Sequence, residues 1–371
     1  MERPRVLLLI TLAETGGAQQ YVASLLPALA REYDVAVAAH GDGFLGDASR
    51  NAGVRYVPLR HVRRALHPLH DLLGVVELYR LFRRERPAVM HANSSKAGIL
   101  GRLAAVAARV PVRLFTVHGW AFKAHRGLAS TVYLWADRAM SPLTTTTICV
   151  ADGELEAGIR ARTCRAERTV VIHNGVDLDR PRREPGRAHA PVMLVSVGRM
   201  RPPKDFATLV QAIAKLEPGS VALKIAGDGP DRPALEAEVA RLGLTGTVEL
   251  LGTRSDVDEL LAAADLFVLS SDSEGLPMSV LEAMAAGLAV VATRVGGVPE
   301  LVVHDLSGKL VPPRDSVALA AAIHEIAADH ALRDRLGAAG RRRAEEEFSL
   351  DRCRQRHLEL YDELLRKRTR R

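Results

Sequence analysis

Residues 271–293 read "SDSEGLPMSVLEAMAAGLAVVAT". From Pro277 onward the pattern is that of a helix followed by a buried strand, with Pro277 suited to the first helical position. Glu282 lies inside this apolar run, and no basic residue occurs between Pro277 and Thr293. A buried carboxylate without a partner is costly, so something outside the stretch must meet it.

The neighbouring sequence supplies a setting. "DLFVLSS" just before it is a strand, which makes residues 272–276 a loop at that strand's carboxyl end. A helix N-terminus presents free N–H groups and a positive dipole end to a phosphate. Glu282 would then lie ~8 Å into the helix at about 1.5 Å per residue, one sugar ring from the phosphate. Two vicinal ribose hydroxyls would satisfy it. Glu274, on the loop, would stand on the other side of the phosphate, where a transferred sugar would be held.

Farther out, strand-like pieces alternate with amphipathic helical ones: "VMLVSVG", "VALKIAG" and "VELLG" in the second half, "RVLLLI", "DVAVAAH", "AVMHAN" and "VRLFTVHG" in the first. Alternation of this kind predicts parallel sheets covered on both faces, an α/β protein of two doubly wound halves. The expected domains are residues 1–177 and 192–350, joined by the Pro-, Arg- and Gly-rich linker 178–191. A terminal helix with a basic tail, 351–371, is expected to cross back to the first domain. Open α/β sheets bind ligands outside the carboxyl ends of their strands, so a cleft between the halves is the predicted site.

Composition narrows the class. The 371 residues are 47% hydrophobic, enough for two cores. Cys149, Cys164 and Cys353 form no CxxC pair, which argues against a disulfide framework or zinc site and favours a reducing cytoplasm. "MERPRVLLLITLAE" mimics a signal peptide, but its apolar run is cut off at Glu14 without a small-residue cleavage site and reads as a buried strand. No apolar run approaches the ~18 residues of a bilayer span. Residues 1–185 carry 26 Lys and Arg against 17 Asp and Glu, and the remainder 25 against 27, so the basic excess belongs to the first half. An anionic membrane or acceptor fits that excess. Nucleic acid does not, because aromatic residues are only 4% of the chain.

Two further turns bear on ligands. "LAETGGAQQ" places Gly16 and Gly17 at a strand-to-helix turn without GxGxxG spacing; it serves either close ligand approach or packing alone. "VSVGRMRPPKD" ends a strand at Gly198 and starts a helix near Asp205, an expected N-cap. Arg199 and Lys204 then stand at a strand's carboxyl end, where two cations suit a diphosphate leaving group or form a solvated basic turn.

The spacing of Glu274 and Glu282, with Gly275 after the first, resembles the EX7E motif of the retaining family 4 glycosyltransferases of GT-B fold. "VGRM", "PKDFATLVQAI", "IAGDGP", "VIHNGVD", "VGGVPELV" and "SGKLVPP" resemble segments of the same family. In the first half the Gly-Gly turn, "HANSSKAGILGRLAA" and "TVHGWAF" are similar to its polysaccharide and lipid-linked-sugar branch. The resemblance implies an acceptor-binding first domain and a nucleotide-sugar-binding second domain. It implies a UDP- or GDP-sugar donor, with Arg199 and Lys204 on the diphosphate, Glu282 on the ribose and Glu274 on the donor sugar. Gly16, Gly17, Gly275, Leu276, Met278 and Ser279 would complete donor binding, and His118 would sit in the sugar pocket, although a lone His at a strand end is as readily structural. It further implies hexosyl or N-acetylhexosaminyl transfer with retention and without a metal cofactor. The acceptor would be a glycan, glycolipid or small-molecule hydroxyl, with a cytoplasmic or inner-face peripheral location. Transfer to a small soluble natural product, a nucleotide-sugar epimerase or inverting transferase of GT-B fold, and a catalytically silent nucleotide-sugar- or lipid-surface-binding module are the rival readings.

Residues 60–86 hold seven arginines (60, 63, 64, 80, 83, 84 and 86) against three acids. Leu69, Leu72, Leu73, Val76, Tyr79 and Phe82 recur at helical spacing, a stripe expected to pack on its own sheet with the arginines solvated outside. So many arginines also suit contact with an anionic membrane surface.

Overall fold

The computed structural model describes residues 3–65, 67–125, 127–186 and 190–369. They divide into two compact units, one of residues 1–174 with 351–371 and one of residues 175–350.

The first unit is built on seven parallel strands: β1 (Arg5–Leu12), β2 (Asp34–His40), β3 (Arg55–Leu59), β4 (Val89–Ala92), β5 (Val112–Val117), β6 (Thr146–Cys149) and β7 (Thr169–Val171). Their order is β3-β2-β1-β4-β5-β6-β7. The run "RVLLLI" is apolar without alternation because β1 is central and covered on both faces. Val6, Leu8 and Ile10 join Tyr21, Leu25 and Tyr361 in one core layer, while Leu7 and Leu9 join Leu78, Phe82 and Leu100 in the other.

The second unit repeats the plan with β8 (Val192–Val197), β9 (Val221–Ala226), β10 (Val248–Gly252), β11 (Leu266–Leu269), β12 (Ala289–Thr293) and β13 (Gly308–Val311), in the order β10-β9-β8-β11-β12-β13. Strand order therefore reverses between β1 and β4 and between β8 and β11. The loops leaving those strands are where a doubly wound sheet offers backbone and side chains to a ligand.

The described residues of 178–191, expected as a linker, fall inside the second unit. Buried Arg183 donates to Asp334 at 2.6 Å, and Arg180 pairs with Asp258 at 2.9 Å. Ion pairs anchor this segment, and hydrophobic periodicity carries no trace of them. Residues 187–189 lie outside the described residues. The helix Leu350–Thr369 packs with the first unit through His357 and Tyr361, both fully buried. Tyr361 Oη lies 2.5 Å from His91 Nδ1, and His357 Nε2 lies 2.6 Å from Tyr21 Oη. The last residues of the basic tail, Arg370 and Arg371, lie outside the described residues.

The apolar stripe differs from expectation. The helix Pro68–Glu85 buries Gly74, Leu78, Leu81 and Phe82 against the sheet, whereas Leu69 and Leu72 are 59% and 63% exposed. Leu73, Val76 and Tyr79 are exposed as well. Of the six residues in the stripe only Phe82 faces inward. The helix carries apolar residues on two faces, and spacing alone selects the wrong one.

Tyr361 closes the core layer that the terminal helix shares with β1. Tyr361→Phe keeps the volume but strips His91 Nδ1 of its partner, a cost of about 1–3 kcal/mol; Tyr361→Ala adds a cavity and is expected to cost about 3–5 kcal/mol. Urea unfolding followed on the first unit's signal checks this order, and equal midpoints for wild type and both variants would refute it.

Candidate functional site

The second unit assembles its polar groups on the loops after β8 and β11. Glycine is required where these loops meet the neighbouring turns after β9 and β12. Gly296, at φ +50°, lies so close to the Glu274 carbonyl that a Cβ there would stand 1.7 Å from its oxygen. Gly227, at φ +138°, meets the Gly198 carbonyl in the same way at 1.9 Å. Hydrogen bonds complete the clamp: Asp272 N donates to the Pro203 carbonyl (2.8 Å), Ser270 Oγ to the Asp205 carbonyl (2.7 Å) and Gly297 N to the Gly275 carbonyl (2.7 Å). Asp205 caps the helix Phe206–Ile213 by accepting from Thr208 N, which fixes the chain just beyond Lys204.

Within this frame Lys204 and Glu274 touch. Lys204 Nζ donates to Glu274 Oε1 at 2.6 Å, and Ser271 Oγ donates to the same oxygen at 2.6 Å. Both partners are largely shielded, with side chains 18% and 13% exposed, so the contact is stronger than a surface ion pair. Glu274 Oε2 and two of the three ammonium protons remain free of hydrogen bonds among the described residues. Arg199 is half-buried on the same loop as Lys204.

The helix after this loop is Met278–Ala285. Pro277 is its N-cap, at φ −70° and ψ 121°, one position earlier than its sequence suggests, because its extended ψ keeps it outside the helix. Met278 and Ser279, both half-buried, open the first turn, and Leu276 and Gly275 are buried beneath it. Glu282 is half-buried and its carboxylate receives no hydrogen bond among the described residues. Burial pushes its carboxyl up to about 7, against the opposing pull of the Arg180 guanidinium. Ribose hydroxyls are the only partners that sequence reading assigns to Glu282; the structure adds the opposing charge of Arg180, in the segment taken for a linker. Nothing in its local sequence marks it.

In the first unit Gly16 and Gly17 begin the helix Gly17–Glu32 after β1, with Gly16 as its N-cap. His118 follows β5. Its ring meets Tyr21 edge-on with centroids 4.6 Å apart, and its buried Nε2 has no hydrogen-bond partner among the described residues. Burial pulls its imidazole down to about 3, so it is neutral at pH 7. A neutral imidazole with an unfilled nitrogen suits a hydroxyl rather than a phosphate. So low a value also makes it a poor general base near neutrality.

Comparison with known proteins identifies the family. Residues 15–180 match the family model described as Glycosyltransferase Family 4, and residues 179–343 the model described as Glycosyl transferases group 1. The UDP-Gal:alpha-D-GlcNAc-diphosphoundecaprenol alpha-1,3-galactosyltransferase of Escherichia coli is 32% identical over 72% of this chain and 74% of its own. The lipopolysaccharide core biosynthesis glycosyltransferase LpsE of Rhizobium meliloti is 30% identical over 93% of this chain and 95% of its own. Anabaena HepE, crystallised with UDP-glucose, superposes with a TM-score of 0.84 at 25% identity, covering 97% of this chain and 99% of that one. With both halves matched and relatives aligned over most of their length, this chain belongs to the family 4 glycosyltransferases, enzymes of GT-B fold.

Proposed function

We propose that the protein transfers a hexosyl or N-acetylhexosaminyl group from a UDP- or GDP-sugar to a hydroxyl of a lipid-linked sugar or growing glycan, with retention at the anomeric carbon. The observation that carries this reading is the set of complementary demands on one sheet edge. Lys204, Arg199 and the free N–H groups of Met278 and Ser279 call for an anion, and Glu282 beside them calls for hydroxyl donors. A nucleoside diphosphate meets both.

Each residue then has a task. Lys204, steadied through one proton by Glu274, gives its other two to phosphate oxygens, and Arg199 shares the charge. Glu282 accepts from the ribose hydroxyls. Glu274 Oε2 accepts from a hydroxyl of the donor sugar; in the first unit, His118 Nε2 offers an unfilled position to a sugar hydroxyl and the Gly16-Gly17 turn lets a ligand approach backbone. As the anomeric C–O bond breaks, the electron pair goes to the departing diphosphate, whose charge the two cations and the helix N-terminus stabilise. The acceptor oxygen bonds to the same face and its proton passes to the leaving phosphate oxygen. The low pKa of His118 supports retention, since an inverting route needs a competent general base.

Glu282→Ala is expected to weaken nucleoside diphosphate binding by about 2 kcal/mol or more, whereas Glu274→Ala leaves that affinity within a few-fold and lowers kcat by roughly 100-fold. Calorimetry with UDP and GDP alongside turnover measurements decides it; equal affinity losses in the two variants would end this division of roles. Because fixed cations occupy the leaving-group position, transfer is expected to proceed undiminished in excess chelator. Activity lost in EDTA and restored only by Mg²⁺ or Mn²⁺ would contradict the assignment of Lys204 and Arg199.

A further inference from the structure

The outward stripe on the helix Pro68–Glu85 has no role in the chemistry above. Its first three turns present Leu69, Leu72, Leu73 and Val76 to solvent, and the same face continues through Tyr79 into Arg80 and Arg83, also exposed. Arg60, Arg63 and Arg64 stand exposed just before the helix. At its far end lies a depression of about 260 Å³ lined by Phe82, Arg83, Arg86, Arg109 and two prolines, Pro87 and Pro111, with no carboxylate in its walls.

The acids of this region are already engaged. Asp71 pairs with Lys96 at 2.6 Å. Glu77 accepts from the backbone N–H groups of Arg60 and His61 at 2.8 and 2.9 Å. Glu85 is buried against Arg55 at 2.5 Å. Arg80, Arg83, Arg86 and Arg109 have no carboxylate partner among the described residues, so the face is apolar in the middle and cationic at both ends.

We infer that this face seats the protein on an anionic lipid bilayer, with Leu69, Leu72 and Val76 entering the headgroup–acyl boundary and the arginine depression taking a lipid phosphate. Leucines between cationic ends match the layering of an anionic bilayer, apolar beneath and negative above. A second copy of the chain fits less well, because isologous pairing would lay these arginine clusters on one another. Among the described residues no helix is long and apolar enough to cross a membrane, so attachment through this face is peripheral and reversible. The inference rests on the proposed lipid-linked acceptor only for its purpose. Its physical content is the surface itself.

The test is sedimentation of the full chain with vesicles of phosphatidylcholine alone or mixed with phosphatidylglycerol, in the absence of donor and acceptor. Binding is expected to the mixed vesicles only, and to fall with salt. Arg80→Gln/Arg83→Gln/Arg109→Gln is expected to lose on the order of 100-fold in partitioning, at about fivefold per arginine. Leu69→Gln/Leu72→Gln/Val76→Gln is expected to lose about tenfold or more, with thermal midpoint and UDP or GDP affinity unchanged in both variants. No binding, equal binding to neutral vesicles, or variants that bind like wild type would overturn the inference. So would a concentration-dependent dimer that the leucine substitutions abolish. A protein that ignores vesicles yet releases nucleotide from a sugar nucleotide would overturn it while leaving the transfer reading intact.

Discussion

Glu282 is a carboxylate placed where water reaches it poorly, with Arg180 as its opposing charge. Much of the second unit follows from that constraint. Arg180 must stay near, so the segment that carries it is anchored through Asp258 and, three residues on, through the Arg183–Asp334 pair. Even so, the folded chain binds the Glu282 proton more tightly than the unfolded chain does. Its contribution to stability is complete below the ordinary carboxyl range and is lost as pH rises through about 7. At neutral pH the fold therefore gives up stability to keep this carboxylate buried.

The ion pair between Lys204 and Glu274 solves a different problem. A lysine and a glutamate facing a sheet edge alone would each be costly to shield, and joined they hold each other in place with protons and an oxygen to spare. The geometry depends on backbone: Gly296 and Gly227 allow carbonyls to approach where any side chain would collide. Around His118 the first unit uses neutral groups instead. His118, His91 and His357 all have imidazoles held down by burial, and they interlock with Tyr21 and Tyr361 without bringing charge into the core.

The parallel strands were legible because a strand covered on both faces must be apolar throughout, as β1 and β12 are. The Asp205 cap was legible because capping is local chemistry. Arg199, Lys204 and Glu274 could be placed on one edge because each lies on the loop just after a strand end, and Glu282 because it sits on the helix that follows that loop. Arg180 could not be found, since its value to Glu282 spans about a hundred positions of sequence and no periodicity encodes it. The need for Gly296 was equally hidden, because it arises from a carbonyl 22 residues away. The leucines of Pro68–Glu85 were assigned to the wrong face because both faces are apolar and only the position of Leu78 and Leu81 against the sheet decides between them.

Proton release on nucleotide binding tests the central claim most directly. Burial pushes the Glu282 carboxyl up to about 7, so part of the population keeps its proton near neutrality, and hydroxyl donors at its oxygens would favour the ionised form. Calorimetric titration with UDP or GDP in two buffers of different ionisation enthalpy should therefore show proton release that is missing in Glu282→Gln, beyond any release from the nucleotide's own phosphate. The same release in wild type and variant would mean that Glu282 does not meet the ligand, and would contradict the account.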